Sequence, residues 1–284
     1  MNSLFPWRRV LARKSAVLSL AFILAMILIA ACAPLLAPHD PFRHGLDQSS
    51  LPPSWVQTGS NPGMAQYPLG TDRLGRDILS RMLYGTRTAI FLAFTAVPLA
   101  GLVGTLVGLA AGYLGGKVDS LLMTVTDTFQ SMPAILFMVL VILIFRSFLE
   151  PTWFGGWLTM TAGFAGIAWV SLARLVRIST LQVKSKLFIE AAVSLGASRQ
   201  HILIRHLLPN IAHIVWVWVI NNIPAVILLE AVLGYIGIGV TSATDGSEFT
   251  VISWGGIFFA GRSVMGRNPL MLILPSLVIL LTSL

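Results

Sequence analysis

Apolar residues gather along this chain in long runs, separated by stretches where charge, glycine and proline collect. The runs cover residues 16–37, 88–112, 121–145, 157–176 and 211–235, and a last one begins at Pro269. About 20 apolar residues cross a ~30 Å hydrocarbon core, so the pattern predicts an all-α membrane protein with six transmembrane helices. The last run holds only 16 residues up to Leu284. A C-terminal tail is therefore expected to be missing after it.

The polar stretches set the expected order. Residues 1–15 carry Arg8, Arg9, Arg13 and Lys14 and no acid, and read as a cytoplasmic flank. Residues 16–37 form the first transmembrane helix. Residues 38–67 are rich in Pro, Ser, Gly and Asn and read as an extracytoplasmic loop. In residues 68–87 the apolar set Leu74, Ile78, Leu79, Met82 and Leu83 fits one face of an amphipathic helix on the membrane surface, capped by Asp72. Residues 88–284 complete the chain as a core of five spans. Within it, residues 236–268 read as a second external loop with an interfacial tryptophan, Trp254.

The only long polar, basic stretch between two apolar runs is 190–209, EAAVSLGASRQHILIRHLLP. Arg174, Arg177, Lys184, Lys186, Arg199 and Arg205 crowd it and its approach, against one acid, Glu190. Such a segment belongs on the cytoplasmic side. Ala191 and Ala192 favour helix, and Gly196 marks a turn between two short helices. Pro209 stands where a new helix can begin. The outcome is a compact knob, residues 185–209, held on two membrane rods.

Composition narrows the class. Of 284 residues, 56% are hydrophobic and 11% charged, where soluble domains carry about 25% charged residues. The net charge of +8 does not indicate nucleic acid, because the basic residues lie between apolar spans rather than in a stripe with interleaved aromatics. Eleven of the 19 Lys/Arg fall on the expected cytoplasmic side and eight on the other. That bias is weak, so the topology rests on span count and on the basic knob. The single cysteine, Cys32, excludes an internal disulfide and a cysteine metal cluster, and no cofactor is expected. Residues 29–32 imitate a lipoprotein cleavage box, but the apolar run continues past them. Residues 115–119 imitate a phosphate loop but lack its required Gly and Ser/Thr. With no Walker A, H-E-x-x-H or G-x-S-x-G pattern, the chain is not an enzyme by itself.

Three features inside the spans carry further expectations. Gly104, Gly108 and Gly112 recur every four residues and suit close helix packing. Asp127 lies in the third span, where Pro133 is expected to kink the helix; a structural hydrogen-bond role is preferred for it. Asn221, Asn222 and Glu230 share the fifth span with Pro224. A helix broken there could border a translocation path, and interhelical hydrogen bonding explains the same residues equally well.

The knob resembles the EAA loop of ABC-transporter permease subunits, through Glu190, Ala191, Ala192, Gly196, Leu208 and Pro209. It departs from that pattern at His206, where the family carries isoleucine. Residues 70–81 resemble the G-T-D-x-x-G-R-D-x-L-S-R signature of the dipeptide/oligopeptide/nickel branch, through Gly70, Thr71, Asp72, Gly75, Arg76, Asp77, Leu79, Ser80 and Arg81. The resemblance implies the permease fold of a type I ABC importer, in a bacterial inner (plasma) membrane, multi-pass, with a cytoplasmic N-terminus. It implies a homologous permease subunit as heterodimer partner, two cytoplasmic ABC ATPase subunits and a periplasmic or extracellular solute-binding protein. In that setting Glu190 contacts the ATPase and Gly196 sets the angle between the knob's helices. The implied solutes are short peptides, and the same branch includes carriers of nickel, glutathione and oligosaccharides. A self-contained channel or secondary transporter is the competing class. It predicts an inverted repeat and paired intramembrane charges, and the sequence shows no such repeat.

Overall fold

The computed structural model describes residues 13–57, 62–149, 155–239 and 251–283. The expected cytoplasmic flank falls mostly outside them, as does 240–250 of the expected second external loop. The described chain is helical. α1 is Lys14–Leu36, α2 Ile78–Leu114, α3 Gly116–Ser131, α4 Ala134–Leu149 and α5 Gly155–Lys184. α6 is Leu187–Ser194, α7 Leu208–Tyr235, α8 Trp254–Gly261 and α9 Leu270–Ser283. No strand occurs among the described residues; Thr71 and Asp77 form one isolated antiparallel bridge.

Among the described residues, four helical stretches are long and apolar enough to cross a membrane: Ala16–Leu36, Ile78–Leu114, Gly156–Lys184 and Arg199–Tyr235. A fifth is reached if α3 and α4, bent by 91° at their junction, count as one broken span. α9 is apolar but shorter. These helices define a multi-pass, all-α membrane protein.

The expected kink at Pro133 is a full break. Met132, directly before the proline, is extended at φ −84°, ψ 132°, the conformation that a following proline ring imposes on its neighbour. Pro224 behaves oppositely. The expected break there is absent, and α7 runs through it from Leu208 to Tyr235. The loss of one amide donor is tolerated in a helix whose next turn buries Val226 and Ile227.

The chain divides into two compact units. The first comprises Met1–Ile90 and Ile252–Pro275; the second comprises Phe91–Val251 and Ser276–Leu284. In the first unit, the expected surface helix over 68–87 is not formed. Residues 68–77 are a folded loop, and 78–87 are simply the opening turns of α2. Gly70 and Gly75 hold φ of +80° and +74°, left-handed values that end any helix. A Cβ at Gly75 would stand 1.9 Å from the Gly45 carbonyl oxygen, so only glycine allows that approach. Trp254 packs inside the protein rather than standing out from a loop. It is buried where Gly85 leaves room for the indole, and its Nε1 donates to the Met82 carbonyl at 3.2 Å. Residues 254–261, expected to be loop, form α8.

Candidate functional site

The knob is built from α6 and the chain that follows it. Lys186 enters α6 extended, and Glu190 lies in the first turn, where a negative charge suits the helix dipole. Ile189 is the one α6 side chain fully covered, which anchors the helix. The exit is a Schellman turn. Ala197 N–H donates to the Ala192 carbonyl at 3.0 Å and Gly196 N–H to the Val193 carbonyl at 2.9 Å. Gly196 has φ +80°, and a Cβ there would meet nothing within 4 Å. Backbone conformation alone, not crowding, calls for glycine.

After Gly196 the chain departs from the expected pair of short helices. Ser198 caps the turn Arg199–His201 by accepting from His201 N–H at 3.2 Å. The π-helical segment Ile202–Leu207 then leads directly into α7. Helical backbone is continuous from Arg199 to Tyr235 because tightly buried Ile202 and Leu207 hold this passage. Pro209 sits in the first turn of α7, where its missing N–H is harmless, and both Leu208 and Pro209 are exposed. His206, at the departing position, has its ring centroid 6.1 Å from that of Phe188 and 5.6 Å from that of His201.

Two surfaces follow. Leu187 and Leu195, at the ends of α6, are 82% and 88% exposed, with Ala191 and Glu190 exposed between them and Ala192 partly covered. A cleft of about 560 Å³ opens beside α6, lined by Tyr113, Lys184, Glu190, Ser194 and Arg199 among others. Lys184 Nζ donates to the Tyr113 carbonyl at 2.7 Å and lies 5.5 Å from the centre of its ring.

The signature segment forms a buried polar cluster in the first unit. Asp72 accepts from Leu74 N–H and Arg76 N–H at 2.9 and 3.0 Å, and from Arg76 Nε at 2.8 Å. It therefore closes a loop rather than capping a surface helix. Asp77 opens α2, accepting from Ser80 Oγ at 2.5 Å and Ser80 N–H at 3.2 Å. Thr71 Oγ1 accepts from Leu51 N–H at 2.9 Å. Arg81 is buried, with Nε 3.8 Å from Asp72 Oδ2 and Nη1 donating to the Pro41 carbonyl. Gly70 sits against the Leu51 carbonyl and Asn268, whose Nδ2 donates to the Leu69 carbonyl at 2.8 Å.

In the second unit, a Cβ at Gly104 would lie 2.7 Å from the Trp169 carbonyl oxygen, and one at Gly108 2.5 Å from that of Ala173. A Cβ at Gly112 would lie 2.7 Å from Thr180 Cβ. α2 and α5 thus touch backbone to backbone along the glycine stripe. Asn221 and Asn222 spend their amide donors on their own helix, at the Val217 and Trp218 carbonyls, while Glu230 is buried a few residues on. Sequence reasoning missed two ion pairs from α5 to α3. Arg177 binds Asp119 through Nε and Nη2 at 2.5 and 2.6 Å, and Arg174 Nη2 reaches Asp127 at 2.5 Å. The readable signal was that the two arginines and the two acids each recur on one helical face, three and eight residues apart.

Two family matches cover the knob and α1 and leave residues 70–81 outside both. Residues 104–284 match the family described as binding-protein-dependent transport system inner membrane component. Residues 5–53 match the N-terminal TM domain of oligopeptide transport permease C. Similar proteins include the oligopeptide transport system permease protein OppC of Haemophilus influenzae, 30% identical over 97% of this chain and 81% of that protein. The dipeptide transport system permease protein DppC of Bacillus subtilis is 31% identical over 89% of this chain and 76% of its own. The glutathione transport system permease protein GsiD of Pectobacterium atrosepticum is 34% identical over 97% and 84%. A multi-pass helical membrane protein is the class that the fold defines. Within that class, the chain belongs to the family of inner-membrane permease components of binding-protein-dependent transport systems.

Proposed function

We propose that this chain is the permease half of an ATP-driven peptide importer and receives its motion through residues 185–209. The observation that carries this is α6, a short helix fixed by Ile189 that leaves Leu187 and Leu195 bare beside Glu190. Exposed apolar side chains of that size on a polar segment indicate a protein contact. The partner supplies nucleotide chemistry that this chain lacks. A nucleotide-driven push on α6 passes into α5 through the short link 185–186 and into α7 through the continuous helix from Arg199. Rocking these two rods exposes the path alternately to either side.

In this reading the N-terminus and the knob face the cytosol. A homologous permease completes the pore, two ABC ATPases sit below, and a solute-binding protein delivers cargo from outside. Short peptides are the substrate class, supported by relatives named for oligopeptide and dipeptide transport. The test is co-purification of the assembled transporter with Leu187→Asp and Leu195→Asp, together with peptide uptake by Glu190→Ala. The expected result is loss of the ATPase from membrane-inserted protein and a drop in uptake. ATPase retained by both aspartate variants, with uptake intact in Glu190→Ala, would overturn the coupling role.

A further inference from the structure

We propose that the polar stripe of α3, centred on the Asp127–Arg174 pair, lines the solute path and contacts the charged termini of the passing solute. The stripe is Lys117, Ser120, Thr124, Asp127, Thr128 and Ser131, spaced 3, 4, 3, 1 and 3 residues apart along one side of the helix. All six are exposed. Leu121 borders the stripe, and the side about 120° round the helix from its centre carries Val118 and Val125, also exposed. An apolar face suits lipid; a face with a carboxylate and hydroxyls does not, because hydrocarbon offers those groups nothing. The hydroxyls of Thr124, Thr128 and Ser131 donate back to carbonyls of their own helix at 2.8–2.9 Å. What they present outward is acceptor lone pairs, a wettable but weakly binding wall.

The two ion pairs on this helix differ in kind. Arg177 and Asp119 exchange two parallel hydrogen bonds and are largely covered, so that pair is saturated. Arg174 and Asp127 share a single bond, and their side chains are 39% and 65% exposed. Among the described residues, Asp127 Oδ2 and Arg174 Nε and Nη1 make no hydrogen bond. The open pair therefore offers an acceptor for an ammonium group and a planar fork for a carboxylate, side by side. A zwitterion with both termini free fits it. One turn before Arg174, exposed Ser171 accepts from Trp218 Nε1 at 3.0 Å, which brings α7 and the neighbouring Asn221 into the same wall. The location of the path stands on this geometry; the zwitterionic class of the solute rests on the peptide reading above.

Two measurements on the complete transporter, reconstituted in liposomes with its partner subunits in a Cys32→Ala background, decide the matter. Single substitutions Thr124→Cys, Asp127→Cys and Ser131→Cys are compared with Val118→Cys and Val125→Cys for reaction with a charged, water-soluble methanethiosulfonate. The stripe is expected to react at least about tenfold faster, and to be protected by dialanine. Equal rates on the two sides would overturn the path assignment. In the second measurement, Asp127→Asn and Arg174→Gln should each lower dialanine uptake about tenfold or more, with Asp127→Glu recovering most of it. Undiminished uptake by Asp127→Asn would overturn the contact. If the unsubstituted transporter takes up no dialanine, the peptide reading falls, and the reactivity pattern still decides where the path runs.

Discussion

Arg177 holds Asp119 with two parallel hydrogen bonds, Nε to Oδ1 at 2.5 Å and Nη2 to Oδ2 at 2.6 Å, joining α5 to the first turn of α3. A guanidinium matches a carboxylate in this way and an ammonium does not. Arg177→Lys should therefore weaken the tie despite conserving charge. We expect Arg177→Lys and Asp119→Asn to lower the stability of the detergent-solubilised protein by about 1–3 kcal/mol each. The double variant should lose less than the two losses added together. Thermal unfolding of the four proteins in the cycle measures this; strictly additive losses would deny the coupling.

The glycine stripe gives a graded steric prediction. Gly108→Ala places a Cβ 2.5 Å from the Ala173 carbonyl oxygen, a backbone atom that cannot swing aside. The helices must separate, at a cost of about 1–3 kcal/mol. Gly101→Ala is the control, since its nearest neighbour would be Val219 Cγ2 at an ordinary 3.5 Å. The melting temperature should fall in the first variant and hold or rise in the second.

Gly196 tests backbone strain without crowding. Gly196→Ala must hold φ near +80° in open space, so the loss should be about 1–2 kcal/mol. Gly196→Asn should lose less, because asparagine tolerates the left-handed region better. Uptake and ATPase retention should follow the order Gly, Asn, Ala. A harmless Gly196→Ala would show that the Schellman turn does not set the knob's geometry.

Asp72 closes the signature loop with two backbone bonds and one arginine bond. Asp72→Asn removes the charge facing Arg76 and leaves buried Arg81 without its nearby carboxylate. Breaking a buried pair from one side costs about 3–5 kcal/mol. The expected readout is rapid proteolysis of the first unit at temperatures where the parent resists.

Much of this was readable from the residues, and the exceptions share a cause. Gly104, Gly108 and Gly112 announced close packing because a four-residue period keeps one helical face. Gly196 announced a turn because only glycine adopts that backbone freely. The 68–87 reading failed because Leu74, Ile78, Leu79, Met82 and Leu83 carry helical spacing across a segment whose Gly70 and Gly75 are left-handed. Pro133 and Pro224 are the same residue with opposite outcomes. Met132 turns extended before one, while α7 stays helical through the other. Arg174 lies 47 residues from Asp127, and helical spacing marks the face each occupies without naming its partner.

The wide turn at Ile202–Leu207 bears on how this rod tolerates changes of length. A π segment houses one more residue than an α-helix would use for the same advance. Deleting one residue inside it should let the helix relax to ordinary pitch while α7 keeps its rotational phase. The same deletion between Leu208 and Val217 would turn everything beyond it by about 100°, swinging Trp218 away from Ser171 and Glu230 out of its buried position.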